Sequence, residues 1–192
     1  MGKPAKVLTA VDVCRVLEKT SADRDSPRSR VVVLLSFKAG LRAAEIAGLE
    51  WSMVLGADGR LSDHISIADR IAKNGSGRRI PINLELRRAL KHLRRLLEYP
   101  TQGPVIRSAR GSHMTPRSIV NWFAKLYREL GFSGCSSHSG RRTFITQTAR
   151  LLSKAGGSLR DVQELAGHRA LTTTERYIEG DRDAQRKLVR ML

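Results

Sequence analysis

The stretch Leu165-Ala-Gly-His-Arg-Ala-Leu-Thr-Thr-Thr-Glu-Arg-Tyr-Ile178 sets a histidine, His168, nine residues before a tyrosine, Tyr177. A phenolic oxygen can act as a nucleophile, and an imidazole within fold-back distance can hydrogen-bond or carry protons beside it. A lone tyrosine more commonly fills a core with its ring. Tyr177, however, is flanked by Glu175, Arg176 and Glu179 rather than by an apolar stripe. Further residues with chemical capacity are spread along the chain. Arg42 and Glu45 are three residues apart, which makes them neighbours on a helical turn, and a surface ion pair is the plain reading of such a spacing. Lys73 sits at the mouth of a glycine-containing loop, where an exposed lysine is usually a solvated charge. His138-Ser-Gly-Arg141 adds a His-x-x-Arg motif, a weak signal alone.

The charge of the chain limits what these groups could act on. Its 35 Lys+Arg against 18 Asp+Glu give a net charge of +17 in 192 residues, the electrostatic footprint of a polyanion binder. Disordered basic tails carry charge in blocks, whereas here it is interleaved with apolar periodicity, and 41% hydrophobic content suits one globular domain. Cys14 and Cys135 are far apart and outside any ligand spacing, so neither a disulfide framework, a metal nor another cofactor is implied. The chain shows no signal-like N-terminus and no run of about 18 apolar residues. A soluble, cytoplasmic protein without a membrane partner is expected.

The periodicity predicts which elements position these residues. Thr9 with Asp12 caps a first helix ending near Thr20, and Pro27 opens a second, buried helix through Val31 to Phe37 that stops at Gly40. Trp51 to Leu55, His64 to Ile67 and Arg79 to Ile82 read as three short antiparallel strands separated by Gly-rich turns. Asn83 caps the next helix, with Leu86, Leu90, Leu93 and Leu97 inward. Thr115-Pro116 opens another, with Ile119, Val120, Phe123, Leu126, Tyr127 and Leu130 inward. A helix from the His138 motif runs to Leu152, and one from Ser158 ends at Gly167. Thr172 and Glu175 form the capping box of a last helix, which Tyr177 enters by about one and a half turns. Residues 181–192 form a short basic amphipathic segment with Ala184, Leu188, Val189 and Leu192 recurring at helical spacing. The fold class is mixed α+β, predominantly helical, with a small three-stranded antiparallel sheet.

Arg42 in Gly-Leu-Arg-x-x-Glu, Lys73 before a strand ending Arg-Arg-Ile-Pro, His138-x-x-Arg141, Gly167-His168 and Tyr177 stand in one order and register. Together they resemble the tyrosine recombinases, or phage integrase family, across nearly the whole chain as a match to the catalytic domain. The resemblance implies a metal- and ATP-independent enzyme that breaks and rejoins double-stranded DNA through a 3′-phosphotyrosyl intermediate. Tyr177 would be the nucleophile. Arg42 and Arg141 would clamp the phosphate, for which a planar, permanently charged fork is suited. Lys73 would be the general acid for the leaving 5′-oxygen, because it can release a proton where an arginine cannot. His138 would assist proton transfer at the tyrosine, His168 would donate to the phosphate, and Glu45 would orient Arg42. A chain monomeric when free and a homo-tetramer on two DNA sites is implied, with residues 181–192 docking in trans on a neighbour.

The sequence departs from the family pattern in two places. Arg142 stands where many relatives carry a histidine, which puts the phosphate contacts there in question. A core-binding domain of about a hundred residues usually precedes the catalytic one; here residues 1–192 read as a single catalytic domain, from a naturally short member or a fragment. Two other classes compete with the recombinase. A type IB topoisomerase would relax supercoils without exchanging partners, and a DNA-binding regulator on the same scaffold would have lost a catalytic residue.

Overall fold

Thr9 opens the first helix by reciprocal capping: its hydroxyl accepts the Asp12 N–H at 3.2 Å while the Asp12 carboxylate accepts the Thr9 N–H at 3.1 Å. The computed structural model containing it describes residues 4–22, 25–177 and 189–190. Helix α1 (Ala10–Ser21) packs on α2 (Ser26–Lys38), in which every residue from Val31 to Phe37 is buried. Such all-round apolarity requires partners on several sides, and α2 has them in α1, α3 (Ala43–Gly48), α4 (Leu84–Leu96) and α6 (Ser139–Ala155). Gly40 ends the α2 region with φ +65°, and a side chain there would collide with the Phe144 ring.

The expected three-stranded sheet has two strands. β1 (His64–Ile67) and β2 (Arg78–Pro81) pair antiparallel, with Ile65 opposite Ile80 and Ile67 opposite Arg78. Trp51–Met53 instead forms a 3-10 turn, leaving one isolated bridge between Leu55 and Leu61. The cause lies in where its donors go: the Val54 and Leu55 N–H groups close back on the Trp51 carbonyl, and the Trp51 N–H is drawn to the distant Gly103 O at 2.9 Å. With its donors engaged this way and its indole fully buried, the segment cannot offer a ladder.

The alternation within β2 matters for the site. Arg78 shares the inward face with Ile80, whereas Arg79 faces out. Helix α5 (Pro116–Glu129) is capped by Thr115 and buries Ile119, Phe123, Leu126 and Tyr127 as expected, but Val120 is 41% exposed and lies outside its inner face. Val105 and Ile106, too short a run to classify from sequence, are wholly buried in an irregular segment held by Val105 N–H to Leu49 O at 2.9 Å.

Helix α6 runs three residues beyond the expected Leu152, to Ala155, and ends at a left-handed Gly156. Ser158 and Asp161 cap α7 (Leu159–Ala166), which Gly167 ends at φ +64°. The capping box expected of Thr172 and Glu175 is not formed: α8 (Leu171–Glu175) begins one residue before Thr172, and Tyr177 lies in the turn just after it. Gln163 determines this. Its backbone carbonyl accepts the His168 N–H, and its side-chain amide donates to the carbonyls of His168 and Arg169, which fixes the connection and starts the helix early. Ile145, Val162 and Ala166 form a small second core, separate from the main one, with Phe144, Leu152, Leu159 and Tyr177 against it. Among the described residues no helix is long and apolar enough to cross a membrane. The segment expected to dock in trans lies outside the described residues, apart from Val189 and Arg190.

Candidate active site

Arg42 and Glu45, whose spacing by itself reads as a surface ion pair, belong to a network built on a buried carboxylate. Arg42 occupies the N-cap position of α3, its N–H donating to Glu45 Oε2 at 2.8 Å and its Nη1 to Glu45 Oε1 at 2.9 Å. The Glu45 side chain is 0% exposed and also receives Arg78 in a two-pronged contact, Nη1 to Oε1 at 2.8 Å and Nη2 to Oε2 at 2.9 Å. Burial pushes the Glu45 carboxyl upward, but the hydrogen bonds and charge of Arg78, followed by those of Arg42, outweigh it and hold the group below its ordinary value. Glu45 is thus an ionised brace between two guanidinium groups.

Arg78 extends the network further, with Nε donating to Leu165 O at 2.9 Å at the end of α7. Ser76 Oγ donates to Gly167 O, and Arg169 reaches the carbonyl of Asn74, so the β1–β2 hairpin is fastened to the connection that carries His168. Sequence reasoning missed Arg78, which entered it only as part of the strand ending Arg-Arg-Ile-Pro. The usable signal was its phase: it alternates in step with Ile80 and must point inward with it.

Arg141 lies in the first turn of α6, where the helix N-terminus adds to the positive field. It is 3% exposed and donates Nη1 to Gly40 O at 2.7 Å and Nη2 to Ala166 O at 2.6 Å. Burial and then the Arg42 charge push it down to about 10, which leaves it protonated at neutral pH. Arg141 Nη2 also lies 3.0 Å from His168 Nε2. A guanidinium can only donate, so His168 Nε2 must accept, and the ring proton is on Nδ1, which donates to Thr174 Oγ1 at 3.0 Å. Burial, then Arg141, Arg42 and Arg78, push His168 down to about 4, so the ring is neutral. The expected donation from His168 to a phosphate therefore requires the Arg141 contact to be exchanged first.

Tyr177 stacks on His168, with ring centroids 5.5 Å apart at 26°, and Arg142 lies 5.8 Å above the Tyr177 ring. One edge of the tyrosine rests on the small second core, contrary to the wholly polar setting expected, while its phenol is among the groups acting on Arg141. His138 stands exposed at the N-cap of α6; partial burial, then Arg141, Arg42 and Lys73, hold it below its ordinary value. Lys73 is exposed in the 3-10 turn Lys73–Gly75 and joins the group through proximity to His138. All seven residues singled out in the sequence gather at one place, where guanidinium groups outnumber the single buried carboxylate. Such a cluster of guanidinium groups favours an anion.

The tautomer of His168 is directly testable. Its ring nitrogens should show an Nδ1–H neutral imidazole by nitrogen NMR, without titrating between pH 8 and about 5.5. Because its folded-state pKa lies below the unfolded one, the ring contributes stability that is present above about pH 6.5 and lost as the pH falls toward 4. A midpoint near 6.5 would show that the ring is not held.

The chain belongs to the phage integrase family, whose model matches residues 6–183. It is 34% identical over 179 residues to the tyrosine recombinase XerC of Mesorhizobium japonicum, covering 90% of this chain and 54% of that protein. Its fold is similar to that of the Tn1549 transposon integrase solved in complex with circular intermediate DNA, with a TM-score of 0.76, 19% identity and coverage of 100% of this chain and 68% of the other. It is also similar to XerA recombinase, with a TM-score of 0.74, 21% identity and coverage of 99% and 65%. The chain spans about half the length of the curated relatives it matches.

Proposed function

We propose that this chain is the catalytic domain of a site-specific DNA recombinase that cleaves and rejoins strands through a 3′-phosphotyrosyl intermediate. The observation that carries the reading is the convergence of Tyr177, His168 and Arg141: nucleophile, imidazole and buried guanidinium in direct sequence of contact. Arg42 and Arg141 bind the non-bridging oxygens and stabilise the charge that develops there. Glu45 and Arg78 hold Arg42 in place. Lys73, exposed on its turn, protonates the departing 5′-oxygen, and His138 handles the phenolic proton. Attack by Tyr177 forms the phosphorus–oxygen bond to the tyrosine as the bond to the 5′-oxygen breaks, so the diester bond energy is stored and a second 5′-hydroxyl can reverse the step. No metal or nucleotide is needed for that balance.

Residues 1–192 act as one catalytic domain in this reading, in the cytoplasm, monomeric when free and tetrameric on two DNA sites, with residues 181–192 reaching a neighbouring protomer. The recombinase names and DNA complexes of the relatives support DNA as the partner. Incubation with a nicked suicide duplex followed by a denaturing gel tests it: a covalent protein–DNA band is expected, and its absence across duplex sequences would exclude the class. Affinity should also fall steeply with salt. An interface neutralising six to ten phosphates loses about 10³ to 10⁵ between 50 and 200 mM, and a flat dependence would mean that the +17 charge serves another purpose.

A further inference from the structure

A strongly charged surface outside the candidate site, among the described residues, is the outer face of α4. Leu86, Ala89, Leu90 and Leu93 face the core, so Arg88, Lys91, His92 and Arg95 project together into solvent. The nearby carboxylates are engaged elsewhere: Glu85 pairs with Arg30 at 2.6 Å and Asp63 with Arg87 at 3.0 Å, while Glu98 lies beyond the helix end. A positive face without local neutralisation is costly in self-repulsion, which a bound polyanion would relieve.

Tyr99 gives the second, independent observation. It is 60% exposed and held at φ +56°, a conformation that a bulky side chain rarely adopts, with its N–H bonded to Arg94 O at 2.9 Å and its ring 5.9 Å from the Arg94 guanidinium. Glu98 and Tyr99 both take left-handed φ as they close the end of α4, and that turn leaves the Tyr99 ring in solvent beside Arg94 rather than in the core. Tyr99 borders two adjoining grooves of about 200 and 270 Å³, the first lined otherwise by Arg88, Lys91, His92 and Arg95.

We propose that the outer face of α4, together with Tyr99, contacts the phosphate backbone of a second DNA duplex while the candidate active site holds the first. Arg88 to Arg95 spans about 10 Å of helix axis, over which one strand of B-DNA carries about three phosphates, matching Arg88, Lys91 and Arg95. A tyrosine hydroxyl is a common phosphate donor beside such cations. Helix α4 packs on the buried α2, as does α6 with its Arg141, and it does so through Leu86, Ala89, Leu90 and Leu93, so Arg88, Lys91 and Arg95 face away from that contact.

The inference rests on the DNA reading above, and a bridging assay separates the two. The chain is bound to a biotinylated duplex on beads, and capture of an unrelated fluorescent duplex is measured. Wild type should capture it at 50 mM salt and about 40-fold less strongly at 200 mM, as three phosphate contacts require. The exposed triple variant R88S/K91S/R95S should stay on the beads and form the suicide-substrate adduct as before, yet capture at least tenfold less of the second duplex. Equal capture by the variant would overturn the proposal by assigning bridging to contacts between protomers. No capture by wild type would overturn it too, leaving a solvated or protein-binding face. Failure of the chain to bind the first duplex would overturn the DNA reading itself and this surface with it.

Discussion

Tyr177→Phe should abolish the covalent adduct on a suicide duplex, a loss on the order of 10⁴-fold or more, while DNA affinity and fold are retained. The substitution removes only the phenolic oxygen: the stack on His168 and the Arg142 contact belong to the ring. Stability should change by no more than about 0.5 kcal/mol. Neither of the other tyrosines can take over the role. Tyr127 is buried in an aromatic stack, and burial followed by Cys135 pushes its phenol well above the ordinary value. Tyr99 is exposed past the end of α4 and is not among the groups acting on Arg141 or His168. Adduct of undiminished yield from Tyr177→Phe would assign the nucleophile elsewhere and undo the proposed mechanism.

Glu45→Ala should damage stability and cleavage together. It leaves the buried Arg78 guanidinium without its counter-charge and frees Arg42 from two hydrogen bonds. Removing one partner of a buried pair costs about 3–5 kcal/mol, which at this chain length corresponds to a fall in Tm of roughly 6–20 °C. The adduct should be lost in parallel, because Arg42 would no longer be oriented. The Glu45 carboxylate, with a lowered pKa, contributes stability that is fully present above about pH 4.5 and is lost as the pH falls through its folded-state value. Calorimetry and a suicide-substrate gel on the same preparation check both effects. A melting temperature within about 2 °C of wild type would mean that the network does not hold the site.

These two outcomes also separate what is local from what is not. Arg42, Lys73, His138, Arg141, His168 and Tyr177 were singled out by the resemblance of their order and register to the tyrosine recombinases, whereas spacing by itself left Arg42 and Glu45 a surface pair and Lys73 a solvated charge. Helix positions were legible for the same reason that they form: caps at Thr9, Asn83, Thr115 and Ser158, and glycines at 131, 156 and 167, act within a few residues of themselves. The first expected strand failed because Trp51–Met53 is decided by its contact with Gly103, about fifty residues away, which no local propensity encodes.

The same limit governs the site. By itself, the sequence determined the types, order and spacing of the groups proposed to act on DNA. Only the tertiary structure decided that Glu45 is buried between two arginines, that Arg78 ties the hairpin to α7, and that His168 is a neutral acceptor from Arg141. Each of these depends on long-range packing that strips water from a charged group, and desolvation rather than residue type then fixes protonation state and hydrogen-bond direction.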